Sequence, residues 1–157
     1  MTTFTAINLV KRPTAGPITA DLFEVVEKQI PVLGAGEFLV KQNHMSLDPA
    51  MIGWMSPDTN SYIPPVALGE VMRSAGIGEI VESNHPDFKA GERVMGMMGW
   101  QEYFLSTGQG LNKVTAPLPD EAILSVFALP GLTATQGLFN VGKPKKGETI
   151  VVSGAAG

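Results

Sequence analysis

The residues whose types and spacing point most clearly to chemistry lie at the end of the chain. A largely apolar run, Thr149 to Ser153, leads directly into Gly154-Ala155-Ala156-Gly157. Dinucleotide-binding folds begin in this way, because small residues after a buried strand let the backbone approach a pyrophosphate. The same tetrapeptide also suits an ordinary turn, and the helix that would follow a phosphate loop lies past the last residue. The pattern alone leaves both interpretations open.

Histidine and methionine side chains are the other candidates that the sequence offers. His44 could line a pocket, although a lone histidine at the end of a strand is more often simply hydrogen-bonded. Met95, Met97 and Met98 precede Trp100 and could form a pliable apolar binding surface. We favour core filling for these methionines, because the surrounding pattern is that of a barrel strand.

Composition narrows the classes of function. The 157 residues include 11 Lys and Arg against 15 Asp and Glu, for a formal net charge of −4. Without a basic block we expect no nucleic-acid partner. The absence of cysteine excludes disulfides and thiolate zinc ligands. The start lacks the features of a signal peptide, and the apolar stretch 122–129 is too short to span a bilayer. We therefore expect a cytoplasmic protein that makes no membrane contact.

The elements that must position these residues are predicted to be mostly strands over the first three quarters of the chain. Short strand patterns alternate with turns rich in glycine and proline, which favours a closed or partly closed barrel. The predicted strands are Phe4–Val10, Leu22–Val26, Glu37–Gln42, Val66–Glu82, Arg93–Gly96 and Trp100–Leu105, with a helical turn at Ala50–Met55.

The pattern changes after Pro117-Leu118-Pro119. Acidic residues behind a proline predict a helix that begins at Asp120, and Leu132–Val141 is a second predicted helix. Thr149 to Ser153 then resembles a strand of a parallel sheet. We place the domain boundary here, with a first domain over 1–118 and a second over 119–157.

Several separated stretches resemble one family. They are Lys11-Arg12-Pro13 with Gly16-Pro17, Ser46-Leu47-Asp48-Pro49, Gly69-Glu70-Val71-Met72-Arg73, Gly99-Trp100-Gln101-Glu102-Tyr103, Gly131-Leu132-Thr133-Ala134 and Gly154-Ala155-Ala156-Gly157. On these motifs the chain resembles the zinc-independent branch of the medium-chain dehydrogenase/reductase superfamily that contains prostaglandin reductase, leukotriene hydroxydehydrogenase, curcumin reductase and alkenal double-bond reductases. The resemblance covers almost the whole chain.

The resemblance implies a mainly β fold. A GroES-like partly open β-barrel would be followed by linking helices and by the first strand of a truncated Rossmann domain. It also implies that the chain is the N-terminal part of a longer enzyme. On that interpretation the fragment is inactive by itself, and it binds the cofactor weakly or not at all because the phosphate loop is incomplete.

The resemblance further implies an NADPH-dependent oxidoreductase that reduces the carbon–carbon double bond of an α,β-unsaturated ketone or aldehyde. Hydride would pass from the nicotinamide to the β-carbon, and the resulting enolate would be protonated at the α-carbon. The expected partner is a small-molecule enone or alkenal. The residues do not decide between NADPH and NADH, and they do not identify the physiological substrate.

Site residues are assigned by the same resemblance. Thr133 is expected near the nicotinamide, and Gly154, Ala155, Ala156 and Gly157 in the phosphate loop. The residues expected to line the substrate side are Asn43, Met45, Ala50, Met51 and Ile52. The family usually continues its Ser-x-Asp-Pro motif with Tyr, Met and Arg, whereas Ala50, Met51 and Ile52 follow here. The missing aromatic and cationic groups favour a different substrate. No residue stands out as a general acid, and the catalytic residues stay unassigned.

Two carboxylates take the places of zinc ligands. By resemblance, Asp48 stands where zinc-dependent members have a cysteine, and Glu70 where they have a histidine. Such a pair could hold a hard cation or act as acid and base. We favour structural roles, because two carboxylates without a third ligand form a poor metal site. The expectation is therefore that no metal binds.

A non-catalytic GroES-like binding or assembly module is the alternative, since a fold does not dictate a function. The predicted strand and glycine loop over 149–157 argue against it. The oligomeric state is left open, including a homodimer of the longer protein.

Overall fold

The computed structural model describes residues 2–14 and 16–154. Its strands are β1 (Thr3–Leu9), β2 (Phe23–Gln29), β3 (Phe38–Met45), β4 (Ala75–Ser83), β5 (Arg93–Met97), β6 (Tyr103–Ser106) and β7 (Leu111–Lys113). Its helices are a 3-10 turn (Ala20–Leu22), α1 (Ala50–Met55), α2 (Asp120–Ser125), α3 (Leu129–Thr135) and a π-helix (Gln136–Gly142). The chain divides into two compact units, Met1–Asp120 and Glu121–Gly157, called here the β unit and the C-terminal unit.

The β unit contains two antiparallel sheets. One has five strands in the order β6-β3-β4-β5-β7, and the other pairs β1 with β2. The edge of β1 that does not pair with β2 connects the two sheets through the segments that precede β4 and β6. The amide of Ile7 donates to the Trp100 carbonyl at 2.8 Å, and the Ile7 carbonyl accepts from the amide of Met72 at 2.9 Å. The sheets curve around a core without closing, which confirms the predicted partly open barrel.

Two clusters of apolar side chains fill the β unit. One contains Phe38, Val40, Ile80, Val94, Met98 and Leu111, and the other contains Leu9, Met51, Met55, Val66 and Met72. Phe38, Leu39 and Val40 are buried in succession, although alternate residues of a strand normally face opposite sides. Phe38 and Val40 belong to one core cluster and so face the same side, whereas Leu39 faces the other side and is buried there. The register shift beside Leu39 places its extra residue, Val81, on β4.

Strands β3 and β4 approach each other closely at Gly78. A Cβ atom built on this glycine would lie 2.2 Å from the backbone oxygen of Lys41. No side chain fits such a gap without movement of the backbone. The pairing of the two central strands therefore depends on a glycine at this position.

The predicted strand Val66–Glu82 is half wrong, because only its second half forms β4. Residues 69–72 instead lie along the edge of β1, where the amide of Gly69 donates to the Leu9 carbonyl at 2.7 Å and that of Leu9 to the Glu70 carbonyl at 2.9 Å. Gly69 has a φ of 87°, which turns the chain out of a strand conformation.

In the C-terminal unit, helices occupy most of residues 121–142, and the described residues 143–154 form neither helix nor strand. Helix α3 has proline in its first turn, where the missing amide costs nothing, and it continues into the π-helix. Residues 149–153 form no strand, and Val151 is 88% exposed. A β-strand needs a hydrogen-bonded neighbour, and residues 121–154 supply none. The domain boundary placed at residue 118 stays a prediction.

The structure also bears on membrane crossing. Across residues 2–14 and 16–154, no helix has both the length and the apolar character that a span of the bilayer requires.

Candidate functional site

Two of the predicted substrate-side residues, Asn43 and Met45, lie together at the end of β3. They line a cavity of about 270 Å³, called here the first cavity. Residues of β1 and of the segment before β6 complete it, including Ile7, Trp100 and Gln101. The indole of Trp100 packs on Phe23 with ring centroids 5.0 Å apart. Core packing therefore fixes the position of this cavity wall, and the residues of β3 line the cavity beside a rigid surface.

Asn43 is held in place by a carboxylate. Its side-chain nitrogen Nδ2 donates to Oδ2 of Asp120 at 3.3 Å, and Nδ1 of His44 lies 3.6 Å from the same oxygen. The other oxygen of Asp120 accepts from Nη1 of Arg93 at 2.7 Å. Nη1 also donates to the Leu118 carbonyl at 2.8 Å. Arg93 and Asp120 thus fasten the segment before α2 to the strands that carry Asn43.

The three predicted residues on α1 are not brought together with Asn43 and Met45. Met51 is 5% exposed and packs in the core beside Met55, one helical turn away. Ile52 instead lines a different cavity with Pro13 and Pro17. Ala50 is exposed. Of these residues, Ile52 and Ala50 are accessible to a ligand, whereas Met51 packs α1 against the core.

A second cavity of about 270 Å³ adjoins the first through Gln101, which lines both. Its lining includes Val66, Glu70, Val71, Arg73, Met97 and Met98. Met98 is 1% exposed and belongs to the core, as we favoured from the sequence, whereas Met97 is 46% exposed. Sequence reasoning assigned no binding role to Arg73 or Gln101, because only the long-range folding of segments 66–73 and 97–101 brings them together.

The zinc-ligand positions give no metal cluster in the described part of the chain. Within it, no three side chains of the His, Asp or Glu type are grouped so that they could hold an ion. Glu70 is exposed and lines the second cavity. Metal independence stays a prediction.

The described residues fit only the start of a cofactor site. The Thr133 hydroxyl donates to the Leu129 carbonyl at 2.8 Å, which leaves its oxygen able to accept a further hydrogen bond. Gly154 has a φ of 65° with open space around its Cβ position, as a close approach of phosphate to backbone requires. Ala155, Ala156 and Gly157 lie outside the described residues.

Two acidic groups with shifted pKa values lie away from both cavities. Hydrogen bonding to Lys113 is the main cause that lowers the pKa of Glu92, assisted by the amide of Lys89. The Thr19 hydroxyl, followed by Lys11, lowers the pKa of Asp21. Both groups are fixed in their ionised form at neutral pH. They stabilise loops and do not supply an acid or a base to a ligand.

Known proteins resemble this chain over most of its length. It is 42% identical over 150 residues to the NADPH-dependent curcumin reductase of Escherichia coli, an alignment that covers 95% of this chain and 43% of that protein. It is 36% identical over 126 residues to a 2-alkenal reductase (NADP(+)-dependent) of Nicotiana tabacum, covering 79% of this chain and 37% of the relative. The chain therefore spans less than half the length of these relatives.

A solved structure shows the same fold. The crystal structure of CurA in complex with NADPH from Vibrio vulnificus superposes with a TM-score of 0.81 and 37% identity, over 92% of this chain and 42% of that one. Residues 5–114 match the family described as the N-terminal domain of oxidoreductase. The chain therefore belongs to the oxidoreductase N-terminal domain family, within the medium-chain dehydrogenase/reductase superfamily.

Proposed function

We propose that the whole protein to which this chain belongs is an NADPH-dependent reductase of carbon–carbon double bonds in α,β-unsaturated ketones or aldehydes. One observation carries the proposal: the chain shares fold and 37% identity with CurA, which was solved with NADPH. NADPH, when bound, supplies the hydride. This chain supplies the substrate side, where it orients the unsaturated ligand and shields it from water.

The first and second cavities are the part of the chain that we assign to the substrate. Asn43 and Met45 form one wall, and Gln101 lies where the two cavities adjoin. Thr133 and the loop from Gly154 to Gly157 are assigned to the cofactor. Domains over 1–118 and 119–157, a cytoplasmic location and activity without zinc belong to the same proposal.

The experiment compares two lengths of protein. The 157-residue chain and the whole protein are titrated with NADPH and assayed for reduction of curcumin and of an alkenal. We expect turnover by the whole protein and none by this chain, which contains only the beginning of a phosphate loop. A whole protein that fails to oxidise NADPH with any enone or alkenal would favour the non-catalytic module. Comparable affinity and turnover in the two lengths would overturn the division of roles.

Metal independence is tested on the same material. Elemental analysis of the whole protein is expected to find no stoichiometric zinc, and a chelator is expected to leave turnover unchanged. Zinc at one equivalent together with activity lost on chelation would contradict this part of the proposal.

A further inference from the structure

The second cavity contains a cation without an acidic partner. Arg73 is half-buried at this cavity, and none of the ion pairs formed among residues 2–14 and 16–154 includes it. Of the other two partly buried arginines, Arg93 is paired with Asp120 at 2.7 Å, and Arg12 donates to a backbone carbonyl. A guanidinium that is partly removed from water and lacks a carboxylate has unused capacity to bind one.

Two neighbours fix the position of the Arg73 guanidinium. Its Nη1 donates to the Pro64 carbonyl at 2.9 Å, and its Cζ lies 5.7 Å from the ring centroid of Trp54. The indole nitrogen of Trp54 in turn donates to the Tyr62 hydroxyl at 3.1 Å. A guanidinium has further N–H donors besides the one used here. Because the group is already ordered, a ligand that binds it loses little additional side-chain entropy.

The surroundings of Arg73 suit an anion attached to an apolar body. Val66 and Met98, which are 3% and 1% exposed, form a buried apolar wall of the cavity. The flexible side chain of Met97 lies at its solvent-exposed edge. Glu70 also lines the cavity, but it is exposed, so water and salt screen its charge more than that of half-buried Arg73.

We propose that Arg73 is a specificity-determining residue that binds the carboxylate of an unsaturated carboxylic acid whose apolar body packs on Met97 and Met98. The inference rests on the proposed function, since the second cavity adjoins the first through Gln101. A carboxylate held at Arg73 orients the rest of the substrate along the cavity wall, so the site prefers acidic enones to their neutral esters.

The test compares one acid with its ester in the whole protein. β-Benzoylacrylate and its methyl ester present the same enone with and without the charge. Arg73→Met is expected to raise KM for the acid about tenfold or more, the loss of one charge-assisted hydrogen bond, and to leave KM for the ester within about twofold. The kcat for both is expected to stay near its original value. Arg73→Lys keeps the positive charge but loses the planar set of guanidinium N–H donors, and it is expected to give an intermediate KM for the acid.

Two further variants separate this role from a structural one. Glu70→Gln removes a nearby negative charge and is expected to lower KM for the acid. Arg12→Met is the matched control, because Nη1 of Arg12 likewise donates to a backbone carbonyl, that of Met55 at 2.9 Å, but Arg12 lines neither cavity. The control is expected to leave the acid-to-ester ratio of KM unchanged. The inference would be overturned if Arg73→Met left the acid-to-ester ratio of KM unchanged, or if Arg12→Met changed that ratio as much as Arg73→Met does.

A binding measurement decides the inference if neither compound is reduced, an outcome that would count against the proposed function. The 157-residue chain is titrated with β-benzoylacrylate while the amide resonances of Gly99 and Gln101 are followed by NMR. Saturable shifts that disappear in Arg73→Met support the carboxylate site. Absence of such shifts in the unsubstituted chain would overturn it independently of turnover.

Discussion

Most of the buried apolar side chains lie in the β unit, where Phe38 and Ile77 are at 0% exposure. In the C-terminal unit Ile123 and Leu124 are buried, but Val141 and Val151 are 81% and 88% exposed. Burial of apolar surface contributes roughly 25 cal/mol per Å² and is the main favourable contribution to folding. The β unit therefore supplies most of the stability. The C-terminal unit depends on short helices, which are marginal in water without packing.

The largest difference between the two units is expected from truncating one phenylalanine in each. Phe38→Ala removes a fully buried ring that stacks on Phe88, with centroids 4.5 Å apart. It is expected to lower the free energy of unfolding by about 3–5 kcal/mol. Phe139→Ala, at a ring that is 61% exposed, is expected to change it by less than about 0.5 kcal/mol. Urea unfolding followed by far-ultraviolet circular dichroism, which reports on both units, measures both. Similar losses would show that the C-terminal unit has a core of its own.

Adding a methyl group to a glycine in each unit is expected to give opposite signs. Gly78→Ala places Cβ against the Lys41 backbone and is expected to cost about 1–3 kcal/mol. Gly137→Ala has nothing within 4 Å of the new Cβ and is expected to stabilise the π-helical segment by up to about 1 kcal/mol. Thermal unfolding of both variants, with circular dichroism of the helical signal, provides the measurement. Destabilisation by Gly137→Ala would indicate close packing around that segment.

We expect the stably packed structure of the β unit to continue to its last residue, Asp120. Asp120 is 11% exposed and accepts hydrogen bonds from both Arg93 and Asn43, so Asp120→Asn is expected to cost about 1–2 kcal/mol. Asp58→Asn is the control, because Asp58 is exposed and accepts only from the local amide of Asn60. Chemical denaturation gives the two stabilities, and hydrogen exchange at the amides of Ala116 and Leu118 reports on the segment. An equal response to the two substitutions would contradict this assignment.

The smallest expected effect concerns acid sensitivity of the β unit. The folded pKa of Glu92 lies below its ordinary value of 4.5, so its ionised form stabilises the fold above that value, and this stabilisation is lost as pH falls through the folded pKa. Lys113→Gln removes the main cause of the shift and is expected to raise the pKa of Glu92. NMR titration of the Glu92 carboxyl measures it. A titration curve that is unchanged by the substitution would assign the shift to another cause.

Local patterns predicted part of the fold well. Helix α1 has the predicted bounds Ala50–Met55, and β5 begins at Arg93 as expected, because both follow clear proline and glycine turns. The strand expected from Val66 onward begins only at Ala75. Residues 69–72 have a strand-like sequence because they do pair with a strand. Their partner is β1, some sixty residues earlier, and that pairing leaves no local signal.

The candidate site was less accessible from the sequence than the fold. Met51 and Met55 are one helical turn apart and both apolar, so their shared buried side follows from helical periodicity and argues against Met51 as a ligand contact. Arg73 and Gln101 could not be assigned in this way. They meet at one cavity because the segments before β4 and before β6 both lie along β1.

The double pairing of β1 has a consequence for how the protein is made. The first strand can pair with β2 soon after synthesis. Its other edge pairs partly with residues 69–72 and partly with residues near the end of the β unit, such as Glu102, whose Oε2 accepts from the amide of Thr5 at 2.6 Å. Until the ribosome has released that part of the chain, the nascent N-terminus presents an unpaired strand edge. Such edges invite association with other chains. We therefore expect the growing polypeptide to be most prone to association between translation of β1 and translation of β6.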